Sequence, residues 1–231
     1  MSDIGFSLPQ VKPQVVNGRH PRSPIPDCKY INVFLLASHP DPKPFPDPSN
    51  LPEEIKKRVI DHLNAFESLF ASQCGKRLKL RMVWSSWNMV GTSSTKFLKA
   101  EEIPLDLTKA KTILDERNKE KAYFPETDIL VWYLRGDYIS LNEDSNSKRI
   151  GKSFVDNGEN PCALVLITEK AGPYTLAHEV GHILSNFSDP DPAPNDKGHN
   201  KNPDNLMYFQ EGGTNITADQ CAIFFKHKFI K

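Results

Sequence analysis

Two histidines four residues apart, with a glutamate beside the first, give this sequence its clearest chemical pattern. They are His178, Glu179 and His182, in the segment AHEVGHIL. On a helix, residues four apart lie on one face, so both imidazoles can reach a single Zn²⁺ ion at about 2.0–2.1 Å. The adjacent carboxylate then lies where it can hold a water molecule beside the metal and take its proton. The pattern predicts one catalytic zinc ion, with Glu179 as the general base.

The segment that carries this pattern must be a helix packed on a core. Its other face is apolar at helical spacing and contains Leu176, Val180, Ile183 and Leu184. Residues 173–186 are therefore predicted to form an amphipathic helix. Gly181 lies in its middle, where glycine costs about 1 kcal/mol relative to alanine. A helix that keeps this glycine is predicted to pack closely against another part of the chain at that point.

A catalytic zinc site needs a third protein ligand and a fourth position that stays open. His199 is the predicted third ligand, because the Gly-, Asn- and Pro-rich loop around it can bring the chain back toward the helix. Asp189 and Asp191, earlier in the same loop, are alternatives. Glu211, farther along the chain, is another.

The run HNKNPDNLMY, which begins at His199, resembles the end of the zinc site of metzincins, especially in their matrixin branch. There a third histidine is followed by a proline and a Leu-Met-Tyr turn at these spacings. The resemblance implies a zinc endopeptidase in which Met207 forms the turn under the metal. The chain departs from the usual H-x-x-G-x-x-H continuation, because Ser185 and Ser188 stand at those positions. An inserted loop, Asp189–Gly198, then delays the third histidine.

The resemblance also implies how a peptide substrate would bind. Metzincins bind substrate in extended form along an edge strand of the sheet, and residues 151–157 are the best candidate for that strand. Its substrate-binding residues are predicted to be Gly151, Lys152, Ser153 and Phe154. Tyr208 is a further candidate, through its hydroxyl group or by packing. The loop 209–215 would form one wall of the pocket for the substrate side chain that follows the cleaved bond.

The remaining pattern predicts an α+β fold, in which residues 28–186 form a twisted mixed sheet with long helices and residues 187–231 form an irregular lower lobe with a C-terminal helix. This plan matches the metzincin one. The predicted strands are 30–37, 78–84, 128–134, 152–155 and 163–168. The predicted helices are 52–73, 107–119, 173–186 and 217–229. Residues 1–27 are predicted to be an extended proline-rich arm and residues 187–206 an irregular loop.

Length and charge limit the function classes. The 231 residues suit one catalytic domain, and the 29 Lys+Arg balance the 29 Asp+Glu, which argues against nucleic acid as the main partner. No apolar run is long enough to cross a bilayer. Residues 1–16 lack a secretory signal, so we expect a cytoplasmic protein, one exported without such a signal, or numbering after processing. The predicted partner is a protein or peptide substrate, bound by a monomer.

Four scattered cysteines form no C-x-x-C pair, so two disulfides and four buried thiols are both open. They are Cys28, Cys74, Cys162 and Cys221. A latency role for Cys28 as a fourth zinc ligand, as in matrixin prosegments, is an alternative to the structural role that we favour. Two other function classes also remain open. One is a non-catalytic zinc-binding module, and the other is a toxin or effector delivered into another cell.

Overall fold

A five-stranded sheet with helices packed on it forms the core of the protein. The computed structural model describes residues 28–37, 53–86, 127–134, 136–140, 148–156, 162–210 and 212–231. Within these ranges the strands are β1 (Cys28–Ala37), β2 (Arg77–Ser86), β3 (Ile129–Tyr133), β4 (Ile139–Ser140), β5 (Lys148–Arg149), β6 (Gly151–Asp156), β7 (Cys162–Ile167), β8 (Pro192–Ala193) and β9 (Asp196–Asn200). The helices are α1 (Glu53–Cys74), α2 (Thr175–Leu184) and α3 (Ala218–Phe224).

The main sheet has the strand order β2-β1-β3-β7-β6. The first four strands run parallel, and β6 pairs antiparallel with β7 at one edge. Every residue of β3 and β7 is buried, as expected for parallel strands that are covered on both faces. The prediction of a mixed sheet with packed helices is confirmed. Two short antiparallel pairs, β4–β5 and β8–β9, lie outside this sheet.

Helix α1 packs one apolar face on the sheet. Its buried residues recur at helical spacing and are Ile55, Val59, His62, Phe66, Leu69 and Phe70. Glu53 and Glu54 lie in its first turn, where negative charge is favourable, and Gly75 follows its last residue with a φ of 62°. The prediction for 52–73 is therefore correct to within one residue. The predicted helix 107–119 and the arm 1–27 lie outside the described residues.

Helix α2 follows β7 and packs against β6 and β7. It is shorter than the predicted 173–186, because the chain leaves the helix through left-handed residues. Asn186 and Phe187 have φ values of 52° and 56°. This conformation is uncommon for residues other than glycine and turns the chain sharply. The turn sends the chain into the lower lobe.

Residues 187–206 are not wholly irregular, and that prediction is wrong in part. They contain the hairpin β8–β9, which pairs antiparallel. Its turn is Pro194-Asn195, with a φ of 63° at Asn195. Proline followed by a left-handed asparagine is the combination that a type II turn favours. Strand β8 is a Pro-Ala pair and β9 is polar, so the apolar alternation that reveals a half-buried strand is missing.

Helix α3 is also shorter than the predicted 217–229. Its start is as predicted, because the Thr217 side chain accepts from the Gln220 backbone N–H and the Gln220 side chain accepts from the Thr217 N–H. After Phe225 the chain turns back to the sheet. Lys231 and Tyr30 exchange two backbone hydrogen bonds, of 3.0 and 3.2 Å. Turns after Phe224, rather than a continued helix, lead the chain to this pairing.

One disulfide joins the lower lobe to α1. Cys74, the last residue of α1, is bonded to Cys221 in α3, with their Cα atoms 5.5 Å apart. Cys28 and Cys162 do not form a disulfide. Neither of the open alternatives, two disulfides or four thiols, describes this arrangement. In the part of the chain that the structure describes, no helix is both long and apolar enough to cross a membrane.

Candidate metal centre

The structure brings three histidines to one place. His178 and His182 project from α2, and His199 comes from β9. Each offers a ring nitrogen, and the three nitrogens all lie within 4.8 Å of one another. The Nε2 atoms of His178 and His182 are 3.0 Å apart. Two nitrogens bound tetrahedrally to one Zn²⁺ would be about 3.3 Å apart, so the three histidines are positioned to hold a metal ion.

The second nitrogen of two of these rings is fixed by an acceptor. His178 Nδ1 lies 2.6 Å from the Leu206 carbonyl oxygen, and His199 Nδ1 lies 2.7 Å from Asp196 Oδ2. Carbonyl and carboxylate oxygens accept, so both Nδ1 atoms carry the proton. Each Nε2 then presents its lone pair to the centre of the cluster. Partners of this kind orient the histidine ligands of metal sites.

Burial keeps the third imidazole neutral. His182 is 6% exposed, and burial together with the neighbouring His178 and His199 lowers its pKa to about 2. The pKa of His199 is also lowered by burial, although the hydrogen bond to Asp196 opposes this shift. A neutral imidazole is the form that binds a metal. These two rings are therefore ready to bind without first losing a proton at neutral pH.

Glu179 is buried beside the three histidines and is held by the edge strand. Its Oε2 accepts a hydrogen bond of 2.7 Å from Ser153 Oγ. Strand β6 approaches so closely that a Cβ added to Gly151 would lie 2.9 Å from Glu179 Oε1. Glu179 does not belong to the group that could hold the ion. A carboxylate fixed next to a metal, but not bound to it, suits a proton acceptor.

Met207 packs against α2 at Gly181. It is 1% exposed, and a Cβ added to Gly181 would lie 2.5 Å from Met207 Sδ. This is the close packing that the mid-helix glycine led us to expect. The same turn carries the Leu206 carbonyl, which accepts from His178. Met207 therefore lies where it fixes the distance between α2 and the turn that orients a histidine.

Gly181→Ala is expected to destabilise the protein, although alanine favours a helix by about 1 kcal/mol. The new methyl group would overlap the buried Met207 sulfur, and such overpacking typically costs about 1–3 kcal/mol. The free energy of unfolding in urea measures the change. Met207→Ala in the same chain removes the overlap, so the double variant should lose less than the sum of the single variants. An alanine variant more stable than the original protein would contradict the close contact.

The alternative third ligands are placed elsewhere or not described. Asp189 is buried, and its carboxylate accepts hydrogen bonds from Asn200 and Gln220 side chains. Asp191 is exposed and pairs with Lys201 at 2.8 Å. Neither aspartate belongs to the group of three. Glu211 lies outside the described residues.

Cys28 does not join the metal-binding group either. It lies at the start of β1, paired in register with Arg77 of β2. Its half-buried thiol contacts the adjacent Lys29 carbonyl oxygen at 3.6 Å. The structure thus gives Cys28 a place in the sheet and no contact with the three histidines.

The structure also describes the other predicted substrate residues. Gly151 and Ser153 face Glu179, as described above. Lys152 is half-buried, with Nζ 5.9 Å from the centroid of the Phe154 ring, and Phe154 is 8% exposed. Tyr208 is half-buried and its ring lies 4.5 Å from that of Phe209. Because β6 pairs only with β7 among the described strands, its second edge is not used by them.

Two side chains at the centre were not expected from the sequence. The Phe187 ring stacks on His182, with centroids 5.6 Å apart and planes within 9°. Asp196 orients His199 from three residues earlier in β9. The Asp-x-x-His spacing is a local pattern that could have indicated this contact. Phe187 gives no such indication, because its approach depends on the left-handed turn at the end of α2.

Comparisons with known proteins give only distant likenesses. No protein-family model and no curated protein matches the chain. Among solved structures, the chain is similar to metalloproteinase-II from Bacteroides fragilis, with 16% identity, a TM-score of 0.48, and coverage of 87% of this chain and 53% of that one. It is also similar to a chain in the structure of a chaperone-substrate complex, with 19% identity, a TM-score of 0.46 and coverage of 87% and 35%. The chain thus spans about half and about a third of their lengths. Likenesses this distant carry no argument about activity, which rests on the site itself.

Proposed function

We propose that this protein is a zinc-dependent endopeptidase of the metzincin type. One observation carries the proposal: three imidazoles converge, two with their outer nitrogens fixed by acceptors, beside a buried carboxylate that is not part of the cluster. Three histidines are a donor set that suits zinc and leaves a fourth position open. His178, His182 and His199 would hold the ion.

Each residue around the ion has a separate role in the proposed hydrolysis. Bound zinc supplies a Lewis acid that polarises the scissile carbonyl group and acidifies water. Glu179 takes a proton from the attacking water and delivers it to the leaving amine. The hydrogen bond from Ser153 holds the Glu179 carboxylate in one orientation during this transfer. Met207, in this proposal, is the methionine of the turn under the metal.

The edge strand β6 would bind the substrate backbone by strand addition. Ser153 and Gly151 lie toward Glu179, so that a peptide on the edge of β6 that no described strand occupies would run past the general base. Lys152 and Phe154 alternate with them, and Tyr208 lies in the turn segment. The partner is therefore proposed to be an extended protein or peptide segment, bound by a monomer.

A non-catalytic zinc-binding module is the second candidate. The buried network of the lower lobe described below could hold a binding loop without any reaction. Such a module would keep the metal and have no cleavage activity to lose. A toxin or effector would share the chemistry of the first candidate and differ only in where it acts.

Metal removal tests the proposal directly. We expect one zinc ion per chain, measured by elemental analysis, and cleavage of a reduced and alkylated, unfolded protein. Dialysis against a chelator should lower this cleavage to background, and one equivalent of Zn²⁺ should restore it. Mg²⁺ and Ca²⁺ should fail, because they prefer oxygen ligands. Cleavage that persists after the metal is gone would contradict the proposal.

A further inference from the structure

A buried set of polar side chains lies beside the metal ligands and takes no part in the proposed reaction. Its four members, which we call the amide network, are Asp189, Asn200, Asn205 and Gln220, each 6% exposed or less. They come from four segments: the loop after α2, β9, the turn before Met207, and α3. Burial of so many polar groups is favourable only when their donors and acceptors are paired.

Two backbone N–H groups determine which atoms of the network donate and which accept. The Met207 N–H donates to Asn205 Oδ1, and the Thr217 N–H donates to Gln220 Oε1, both at 2.8 Å. The two side-chain amides then pair reciprocally through two hydrogen bonds of 2.9 Å. Neither amide can be reversed, because its oxygen must accept from the backbone. The remaining N–H of Gln220 therefore points away from Asn205 and donates to Asp189 Oδ2 at 2.6 Å.

This series of hydrogen bonds ends at Asp189, whose carboxylate accepts from Gln220. Its other oxygen accepts from the Asn200 side-chain amide at 2.7 Å and from the Asp191 backbone N–H at 2.8 Å. Three donors thus surround one carboxylate. An asparagine here would turn its own NH₂ group toward a donor in either orientation. Only a side chain that accepts on both oxygens fits.

The amide network is joined to two metal ligands through the backbone. Asn200 directly follows His199, and its N–H donates to the Met207 carbonyl oxygen at 2.8 Å. The residue before Met207 is Leu206, whose carbonyl oxygen accepts from His178. A shift in the network would therefore move one ligand and the group that orients another.

We propose that Asp189 and Gln220 are positioning residues of the metal centre, which hold the segments carrying His199 and the Leu206 carbonyl. The inference rests on the proposed metal binding by three histidines and does not depend on peptide cleavage. A side chain that only supported the fold would change the unfolding temperature. It would leave the metal affinity of the folded protein and the geometry of the bound metal unchanged.

Metal binding by the Asp189→Asn variant tests this role. The Zn²⁺ affinity of the folded apoprotein, measured by competition with a chromophoric chelator, should fall about 10- to 100-fold, the usual effect of losing a group that orients a ligand. The visible absorption spectrum of the Co²⁺-loaded protein should also change. Asp191→Asn is the matched control. It removes the same charge from an exposed side chain that lies two residues after Asp189. It should leave both readouts unchanged.

A second variant keeps the test decisive if Asp189→Asn fails to fold. Asn200→Ala removes the hydrogen bond that joins Asp189 to β9 and places no donor against a donor. It should fold and lower the Zn²⁺ affinity in the same direction. The proposal is overturned if folded Asp189→Asn binds Zn²⁺ as the original protein does, or if neither variant folds, since the network would then serve the fold alone. An original protein that binds no Zn²⁺ would instead refute the metal site itself.

Discussion

Glu179→Gln is expected to lower kcat for peptide cleavage by about 10²- to 10⁴-fold, the range that a general base contributes. The amide keeps the size of the side chain and an oxygen that can accept from Ser153, but it cannot take a proton. Because Glu179 is not among the three residues positioned to hold the ion, the variant should keep its zinc. Cleavage of the unfolded protein and metal content, measured on the same preparation, check both parts.

Glu67→Gln is the matched control for this change. It removes a carboxylate from α1 that pairs with Arg77 and Lys79, away from the three histidines. It should leave cleavage unchanged. Equal cleavage by Glu179→Gln and the original protein would remove the role of general base. If the original protein and Glu179→Gln both retained the metal and neither cleaved the substrate, the non-catalytic module would be favoured.

His199→Ala is expected to lower Zn²⁺ affinity by more than about 100-fold, because it removes a ligand atom rather than a group that orients one. The two remaining imidazoles on α2 would leave two positions to be filled by water. Competition with a chelator of known affinity measures the loss. Cleavage at limiting zinc should fall with it.

Lys197→Ala is the control for His199→Ala, since Lys197 lies on the same strand and is exposed. It should keep both zinc and activity. Glu211→Ala completes the comparison, because Glu211 is the remaining alternative for the third ligand. Zinc lost from Glu211→Ala and kept by His199→Ala would contradict the cluster that the structure shows.

The parts of the site that depend on local spacing were predictable from the sequence. His178 and His182 must share a helix face if residues 173–186 are helical, and the apolar residues opposite them indicate that helix. His199 was predicted because its loop can return the chain to the helix and because its spacing to Met207 resembles that in metzincins, which is again a pattern within one segment. The buried strands β3 and β7 were predictable for a similar reason, because their apolar runs are continuous.

The parts that depend on long-range pairing were not predictable. Gln220 indicates a helix start through Thr217, but nothing in one sequence shows that the same amide also meets Asp189, 31 residues away. Asp189 appeared instead as a possible metal ligand, because an aspartate in a loop has the same appearance in either role. The pairing of Cys74 with Cys221 was hidden likewise, since four cysteines allow several combinations.

The bond between Cys74 and Cys221 joins residues 147 positions apart and so closes a covalent ring of chain. All three histidines lie inside this ring, because their positions fall between the two cysteines. A single cut of the backbone anywhere inside that ring would open it without releasing a fragment. The cleaved molecule would travel as one piece in a denaturing gel until a thiol reagent was added, and only then separate into two bands.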